Sequence, residues 1–338
     1  MSAAELWWCQ VPAGVSLYNQ LACDLQQGKS IVLDAGRMPW PDTLRGYLRD
    51  VVTQINNAMP FEIINASDCP PGMEPDAFLF RCIGEEDHYG TQLLRIKRLR
   101  RKPACLWVDG IPQKQYAQWI DMAVELTREP SQMMLILDIP EQVSVPECER
   151  LAPEGVWHSR FDVYYFSLMR LSTLQEDERM VEYAATLCTE LSGLDPILCD
   201  QLCQVPERLM QNPLKVAEQL GCQVNINQAV LRAQMRAFMP LVELCRITVN
   251  ELLRHQLENA LPFSPDKGET VRKSDVERVE LTHIIQMANR GRINLPSDLY
   301  NLLHNLREIR NHLAHLTMLS NVEIGTLLGG MDSLAEWQ

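Results

Sequence analysis

The sequence predicts an α/β fold followed by an all-α region, and three observations predict it. Short apolar runs alternate with amphipathic stretches through the first half. From about Ser172 the pattern is helical throughout. The 338 residues, 46% hydrophobic and 22% charged, supply material for two or three cores. The expected layout is a parallel-sheet domain at 1–170, a helical lid or linker at 171–235, and a C-terminal helical bundle at 236–338.

Ser30–Ala35 reads as a buried strand, followed by a helix from about Asp42 to Asn56. Phe61–Asn65 is a second strand and Ala104–Asp109 a third, with a helix from about Lys114 to Arg128. Met133–Asp138 is a fourth strand, and Val163–Leu168 reads as a fifth. Apolar strands alternating with helices indicate a parallel sheet covered on both faces. Leu174–Ser192 is amphipathic, and Asp195-Pro196 opens a helix through Leu202. Short helical pieces follow at Pro206–Gln211 and Leu214–Leu220, closed by Gly221. A longer helix runs from about Asn227 past Arg254, with an interruption expected near Pro240. Pro262–Gly268 forms a loop, helix resumes at about Lys273–Asn289, and Pro296–Leu316 is the last predicted helix.

Composition excludes several classes. A net charge of −13 argues against a protein that coats nucleic acid generically, so any such contact must be local. No apolar run approaches the roughly 18 residues of a membrane span, and Met1–Trp8 lacks the pattern of an export signal. No membrane association and a cytoplasmic location are the expectations. The eleven cysteines are scattered singly, with no C-x-x-C, and read as reduced buried thiols. Cys199 and Cys203 are the closest pair, and the sequence around them offers no further metal ligands. No metal and no cofactor are expected.

After the first strand comes Gly36-Arg37-Met38-Pro39-Trp40-Pro41-Asp42-Thr43, then a helix. Laid over G-x-x-x-x-G-K-[ST], Gly36 and Thr43 match, while Pro41 replaces the second glycine and Asp42 the lysine. Proline removes an amide that would cradle phosphate, and an acid there repels it. The third strand ends Val108-Asp109-Gly110, which keeps an acid for a metal but puts glycine where a water-activating acid belongs. Residues 25–170 thus resemble a degenerate P-loop nucleotidase of the AAA/STAND type, with Gly36, Thr43 and Asp109 as an inactive remnant of its nucleotide site. Gly28-Lys29-Ser30 is a decoy, since a helix precedes it and a strand follows; Gly28 reads as a helix stop.

Arg95-Ile96-Lys97-Arg98-Leu99-Arg100-Arg101-Lys102 carries six cations in eight residues. In an acidic chain that run reads as a partner surface, as a solvated helix end, or third as a nucleic-acid footprint of Arg95, Lys97, Arg98, Arg100, Arg101 and Lys102.

In the last predicted helix, Leu302, Leu303, Leu306, Ile309, Leu313 and Leu316 share one face at about 100° per residue. His304, Glu308, Asn311 and His315 fall on roughly the opposite side, and Arg310 lies at the edge of the apolar stripe. Arg310-Asn311 followed by Ala314-His315 supplies a fixed cation and a group that titrates near neutral pH. The pattern resembles the R-x4-6-H signature of the HEPN superfamily of small helical ribonucleases and nucleotide-binding domains. The resemblance implies a dimer through the C-terminal helices and metal-independent RNA cleavage that leaves a 2′,3′-cyclic phosphate. It implies that Arg310 holds the scissile phosphate, His315 serves as general acid or base, and Asn311 orients. His312 and Glu308 are weaker supporting residues, and Glu277, Glu280 and His283 fit loosely as a further polar group.

The expectation is therefore an endoribonuclease effector of a bacterial antiviral or toxin-type defence system, controlled by a pseudo-nucleotidase sensor domain. The alternative is a non-catalytic adaptor that assembles with an active ATPase or nuclease. A third reading is a regulator that binds nucleotide through Gly36–Thr43 and Asp109. ATP hydrolysis by this chain alone is not expected.

Overall fold

The computed structural model describes residues 1–84, 91–140, 158–266 and 268–336. They form a mixed α/β protein with a four-stranded parallel sheet and many helices, in two compact units. The first comprises Met1–Phe166 with Leu194–Ile197, the second Ser167–Gly193 with Leu198–Gln338.

The first unit opens with α1 (Ala3–Gln10) and α2 (Pro12–Gln26). Gly14 lets them touch: a Cβ there would lie 2.3 Å from the Trp7 carbonyl oxygen. Then come β1 (Ile31–Leu33), α3 (Pro41–Ile55), β2 (Phe61–Asn65), α4 (Pro75–Cys82) and α5 (Gln92–Leu99). β3 (Ala104–Asp109), α6 (Tyr116–Thr127) and β4 (Met133–Asp138) complete the sheet, whose order is β1-β4-β3-β2. All pairings are parallel, with Leu33 opposite Asp138 and Asn65 opposite Asp109. β3 and β4 are buried along both faces until their terminal aspartates, as central parallel strands must be. β2 is an edge strand with Ile63 48% exposed.

The expected fifth strand, Val163–Leu168, is instead part of helix α7 (Arg160–Leu171). Asp162, Val163, Phe166, Ser167 and Leu171 are buried while Tyr164 and Tyr165 are not, a period of 3.6 rather than 2. Ser159 starts this helix, its amide and hydroxyl donating to the Asp162 carboxylate. A six-residue apolar run does not by itself separate strand from helix.

The second unit contains α8 (Glu178–Ser192), α9 (Pro196–Cys203, shared with the first unit), α10 (Pro206–Gln211), α11 (Pro213–Gln219) and α12 (Ile226–Leu252). Next are α13 (Arg254–Ala260), α14 (Leu281–Asn289), α15 (Ser297–Ala314) and α16 (Asn321–Glu336). α12 packs against α8, α15 and α16. The fully buried Glu190 of α8 ties the first contact through ion pairs to Arg232 and Arg236. The expected interruption at Pro240 does not occur, because Pro240 lies on the exposed side of α12 and water can satisfy the orphaned Arg236 carbonyl. The expected helix at 273–289 is split: Lys273–Arg278 is a 3-10 turn, and α14 starts after Glu280. The freed Val279 carbonyl accepts from Arg246 and Asn250. Pro262–Gly268 loops as expected, Phe263 and Val271 pairing across it, with Lys267 outside the described residues. No described helix is long and apolar enough to cross a membrane.

Candidate functional site

Gly36–Thr43, read in the sequence as a degenerate phosphate loop, follows β1 at the carboxyl end of the sheet, where ligands of open parallel sheets bind. Leu33 runs into Asp34 and a 3-10 turn at Ala35–Arg37. The Ala35 amide donates to Asp138 Oδ1 at 2.9 Å, and the Gly36 and Arg37 amides hydrogen-bond to the Asp34 carboxylate. The backbone donors that would cradle a phosphate are thus directed at the protein's own carboxylates. Trp40, held at φ 49°, turns the chain into α3, and the Thr43 amide is used there on the Trp40 carbonyl.

Asp109 is engaged from α3. Arg45 Nη2 approaches both carboxylate oxygens, at 3.0 and 2.9 Å, and its guanidinium lies 4.7 Å from the centre of the Trp107 ring. Trp107 Nε1 donates to Asp109 Oδ1 at 2.5 Å. Asp42, at the lysine position of the motif, is 90% exposed and meets Arg45 Nη1 at 3.3 Å. Burial pushes the Asp138 carboxyl above the usual range, and Asp109 and Asp34 add to the shift against the Ala35 amide. Burial likewise raises Asp34, which Arg37 pairs at 3.0 Å. Gly110, at φ 64°, follows Asp109 directly, and any side chain there would strike Asn65 Oδ1.

The basic run divides by direction. Arg95 of α5 turns inward to the buried Asp76 at 2.5 Å, and the buried Arg100 binds Glu129 and the Glu125 carbonyl. Lys97, Arg98, Arg101 and Lys102 are exposed. Two of the six cations therefore hold the helix down, and the other four face solvent.

On α15 the buried face is Leu299, Leu303, Leu306, Ile309 and Leu313. Leu302 is half-buried and Leu316 is 64% exposed, so the apolar stripe ends earlier than the wheel suggests. The helix stops at Ala314 because the chain closes on itself. The Thr317 amide bonds the His312 carbonyl at 2.8 Å, the Leu316 amide bonds Leu313 at 3.2 Å, and Leu316 takes the left-handed φ of 58°. His315 becomes the C-cap, exposed, with its amide on the Asn311 carbonyl at 2.9 Å.

The residues grouped by the R-x4-6-H resemblance part company here. His312 Nδ1 meets Glu323 Oε1 of α16 at 2.6 Å. Glu323 lies below the usual carboxylate range: burial raises it, but hydrogen bonds from Ser320 and His312 outweigh that. His304 is half-buried beside Tyr300, ring centres 4.7 Å apart, rather than on an exposed ridge. Arg310, half-exposed, approaches Glu280 at 3.8 Å. Arg310 also lines a cleft of about 10 Å³ with Glu243, Arg246, Glu280 and Arg307. Arg246 is common to that cleft and to a cavity of about 370 Å³ lined by Ile247, Asn250, Arg254 and Glu277, among others. Its hydrogen bond holds Glu243 below the usual carboxylate range. Arg310 and His315 are five residues apart, about 140° around and 7.5 Å along a helix. One copy therefore directs them to different places.

Two contributors carry no signal in the sequence. Arg45 meets Asp109 from 64 positions away, and Arg246 from α12 joins the Arg310 cleft. Glu280, a loose candidate from the sequence, is the N-cap of α14 and pairs with Arg310. Among the described residues no group of three or more His, Cys, Asp or Glu is arranged to hold a metal ion. Comparison with family models, curated proteins and solved structures finds nothing that matches this chain.

Proposed function

We propose that the helical unit is a metal-independent endoribonuclease module resembling HEPN domains, and that the sheet unit is a nucleotidase-like sensor that no longer binds nucleotide. The observation that carries the reading is the exposure of Arg310 and His315 near one end of α15, with Arg310 on a cleft that shares Arg246 with the 370 Å³ cavity. Arg310 holds the scissile phosphate and stabilises the charge that develops on it. His315 accepts the 2′-hydroxyl proton as that oxygen attacks phosphorus, and the bond to the 5′-oxygen breaks. Since one copy points the two groups apart, the complete site needs a second copy. The setting, an effector of bacterial defence in the cytoplasm, rests on resemblance alone.

The assay is RNA cleavage by the full chain in EDTA. Wild type cuts, and His315→Ala loses on the order of 10²–10⁴-fold in rate with its oligomeric state unchanged. Unchanged cleavage by the variant refutes the assignment.

A second reading, an adaptor without catalysis, is favoured by the sheet unit, where Arg45 engages Asp109 and the turn amides are directed at Asp34 and Asp138. Such a unit serves as an assembly platform for a partner ATPase or other defence protein. Absence of cleavage in any state, together with a stable complex with such an enzyme, selects it.

A further inference from the structure

The cavity of about 370 Å³ in the second unit is bounded by the last turns of α12, the start of α13 and the Lys273–Arg278 turn. Its volume is that of a small-molecule site, roughly 300–1,000 Å³. One wall is fixed. Arg246, its side chain 12% exposed, donates from Nε to Glu243 at 2.8 Å and from Nη1 to the Glu277 and Val279 carbonyls at 2.9 and 3.1 Å. These bonds hold the guanidinium plane and pin the turn that carries Glu277. Ile247, also on the cavity, stays 42% exposed. Asn250, another lining residue, donates from Nδ2 to the Val279 carbonyl at 2.9 Å, while its buried Oδ1 has no donor. A buried acceptor without a donor is costly and calls for an explanation. The exposed carboxylates of Glu251 and Glu277 have no partner among the described residues. Arg254 engages Glu258 through Nε at 3.2 Å, and its two terminal nitrogens are unengaged among the described residues. Two cations and two acids balance in this lining, which suits an uncharged polar ring better than a further phosphate.

We propose that this cavity binds a guanine base. The open groups are mainly acceptors: two carboxylates and the Asn250 Oδ1, with the terminal nitrogens of Arg254 as donors. Guanine alone among the four RNA bases presents two adjacent N–H donors on one edge, N1–H and the 2-amino group, with O6 and N7 acceptors beyond them. N1–H and one amino hydrogen donate to the two oxygens of Glu277, the acid whose backbone Arg246 pins. The second amino hydrogen goes to Asn250 Oδ1, and Arg254 donates to O6 and N7, a pairing whose geometry is favourable. The ring stacks on the fixed plane of Arg246 and against Ile247, as bases stack on guanidinium planes. Adenine and cytosine would set a ring-nitrogen lone pair against the carboxylate, and uracil has a single N–H between two carbonyls. Arg246 is common to this cavity and to the cleft of Arg310. Within RNA the bound base is therefore a neighbour of the scissile phosphate, a consequence that rests on the endoribonuclease reading; the binding of guanine itself does not.

The test is calorimetric titration of the full chain in EDTA with guanosine, inosine and adenosine 5′-monophosphates. The same three bases are then offered singly within 2′-O-methyl uridine tetramers, which lack the attacking hydroxyl and cannot be cut. Inosine differs from guanosine only by the missing 2-amino group. Guanosine is expected to bind about tenfold more tightly than inosine or adenosine, the scale of one good bidentate pair. Glu277→Gln should lower guanosine affinity by about tenfold with the melting temperature unchanged. Selectivity among the mononucleotides assigns a free guanine nucleotide as a ligand, and selectivity confined to the tetramers assigns RNA. Equal binding of the three bases, no binding of any, or a guanine preference that survives Glu277→Gln overturns the proposal. Guanine-selective binding by a chain that cuts no RNA keeps the pocket and refutes the nuclease reading. RNA cleavage by a chain with no guanine preference refutes the pocket alone.

Discussion

At the carboxyl end of the sheet, Asp109 has a guanidinium against both of its oxygens and an indole N–H on one of them. Near the end of α15, Arg310 has a 3.8 Å approach to Glu280 with half its side chain in water, and His315, directed elsewhere, is exposed at the C-cap. Both places carry residue types that chemistry uses. The difference is that the first has satisfied its charges from within, while the second has left them available. An acid at a strand end is therefore weak evidence for a metal or nucleotide site until its partner is known. Arginine is ordinarily an exposed residue, so the half-exposed Arg310 beside a cleft is compatible with phosphate binding, and the cleavage assay decides the point.

The comparison can be broken at either end. After His315→Ala, the largest effect is expected at Arg310: Arg310→Ala should lower RNA cleavage by about 10²–10³-fold while leaving thermal stability nearly unchanged. A large stability loss would show that the Glu280 contact is structural. Next is Arg45→Met, which leaves Asp109 without its guanidinium though still with the Trp107 indole N–H, and should cost about 2 kcal/mol, less than a fully buried pair because both partners keep some solvent. Adding Asp109→Asn should recover at least half of that loss in urea melts. Leu316→Gly should stabilise by about 1 kcal/mol, because glycine adopts the left-handed cap that leucine holds under strain. His312→Ala should cost about 0.5 kcal/mol, the worth of a part-exposed hydrogen bond, and leave cleavage intact; a cleavage defect would return His312 to the site.

The smallest effect tests the buried carboxylates. Asp34 and Asp138 are raised above the usual range in the folded state, so the folded chain binds their protons more tightly than the unfolded chain does. Stability from these groups therefore grows as pH falls through their raised values and levels off near the unfolded value of about 4. At neutral pH their charge is a cost. Asp138→Asn, which still offers an oxygen to the Ala35 amide, should be more stable than wild type at pH 7. That advantage should shrink by pH 5. An equal gap at both values would locate the effect elsewhere.

Much of the sheet was legible in the sequence because its central strands are buried on both faces. Ala104–Asp109 and Met133–Asp138 have uninterrupted apolar runs that end on an acid. Val163–Leu168 looked the same over six residues and is helical, since only tertiary packing decides which of its side chains turn inward. The stop of α15 was hidden for another reason: the left-handed cap falls on Leu316, where sequence signals lead one to expect glycine or asparagine. Arg310 and His315 were visible as a spacing. What surrounds them was not, because Glu280, Glu243 and Arg246 arrive from α14 and α12. The Arg45–Asp109 pair is likewise a product of the fold.

The measurement that bears most directly on the Arg310–His315 assignment is the chemistry of the RNA ends. Labelled RNA incubated with the full chain in EDTA should yield fragments ending in 2′,3′-cyclic phosphate and 5′-hydroxyl, absent with Arg310→Ala and with His315→Ala. Fragments ending in 3′-hydroxyl and 5′-phosphate, or the same cyclic products from both variants, would contradict the assignment of Arg310 and His315 as the reacting pair.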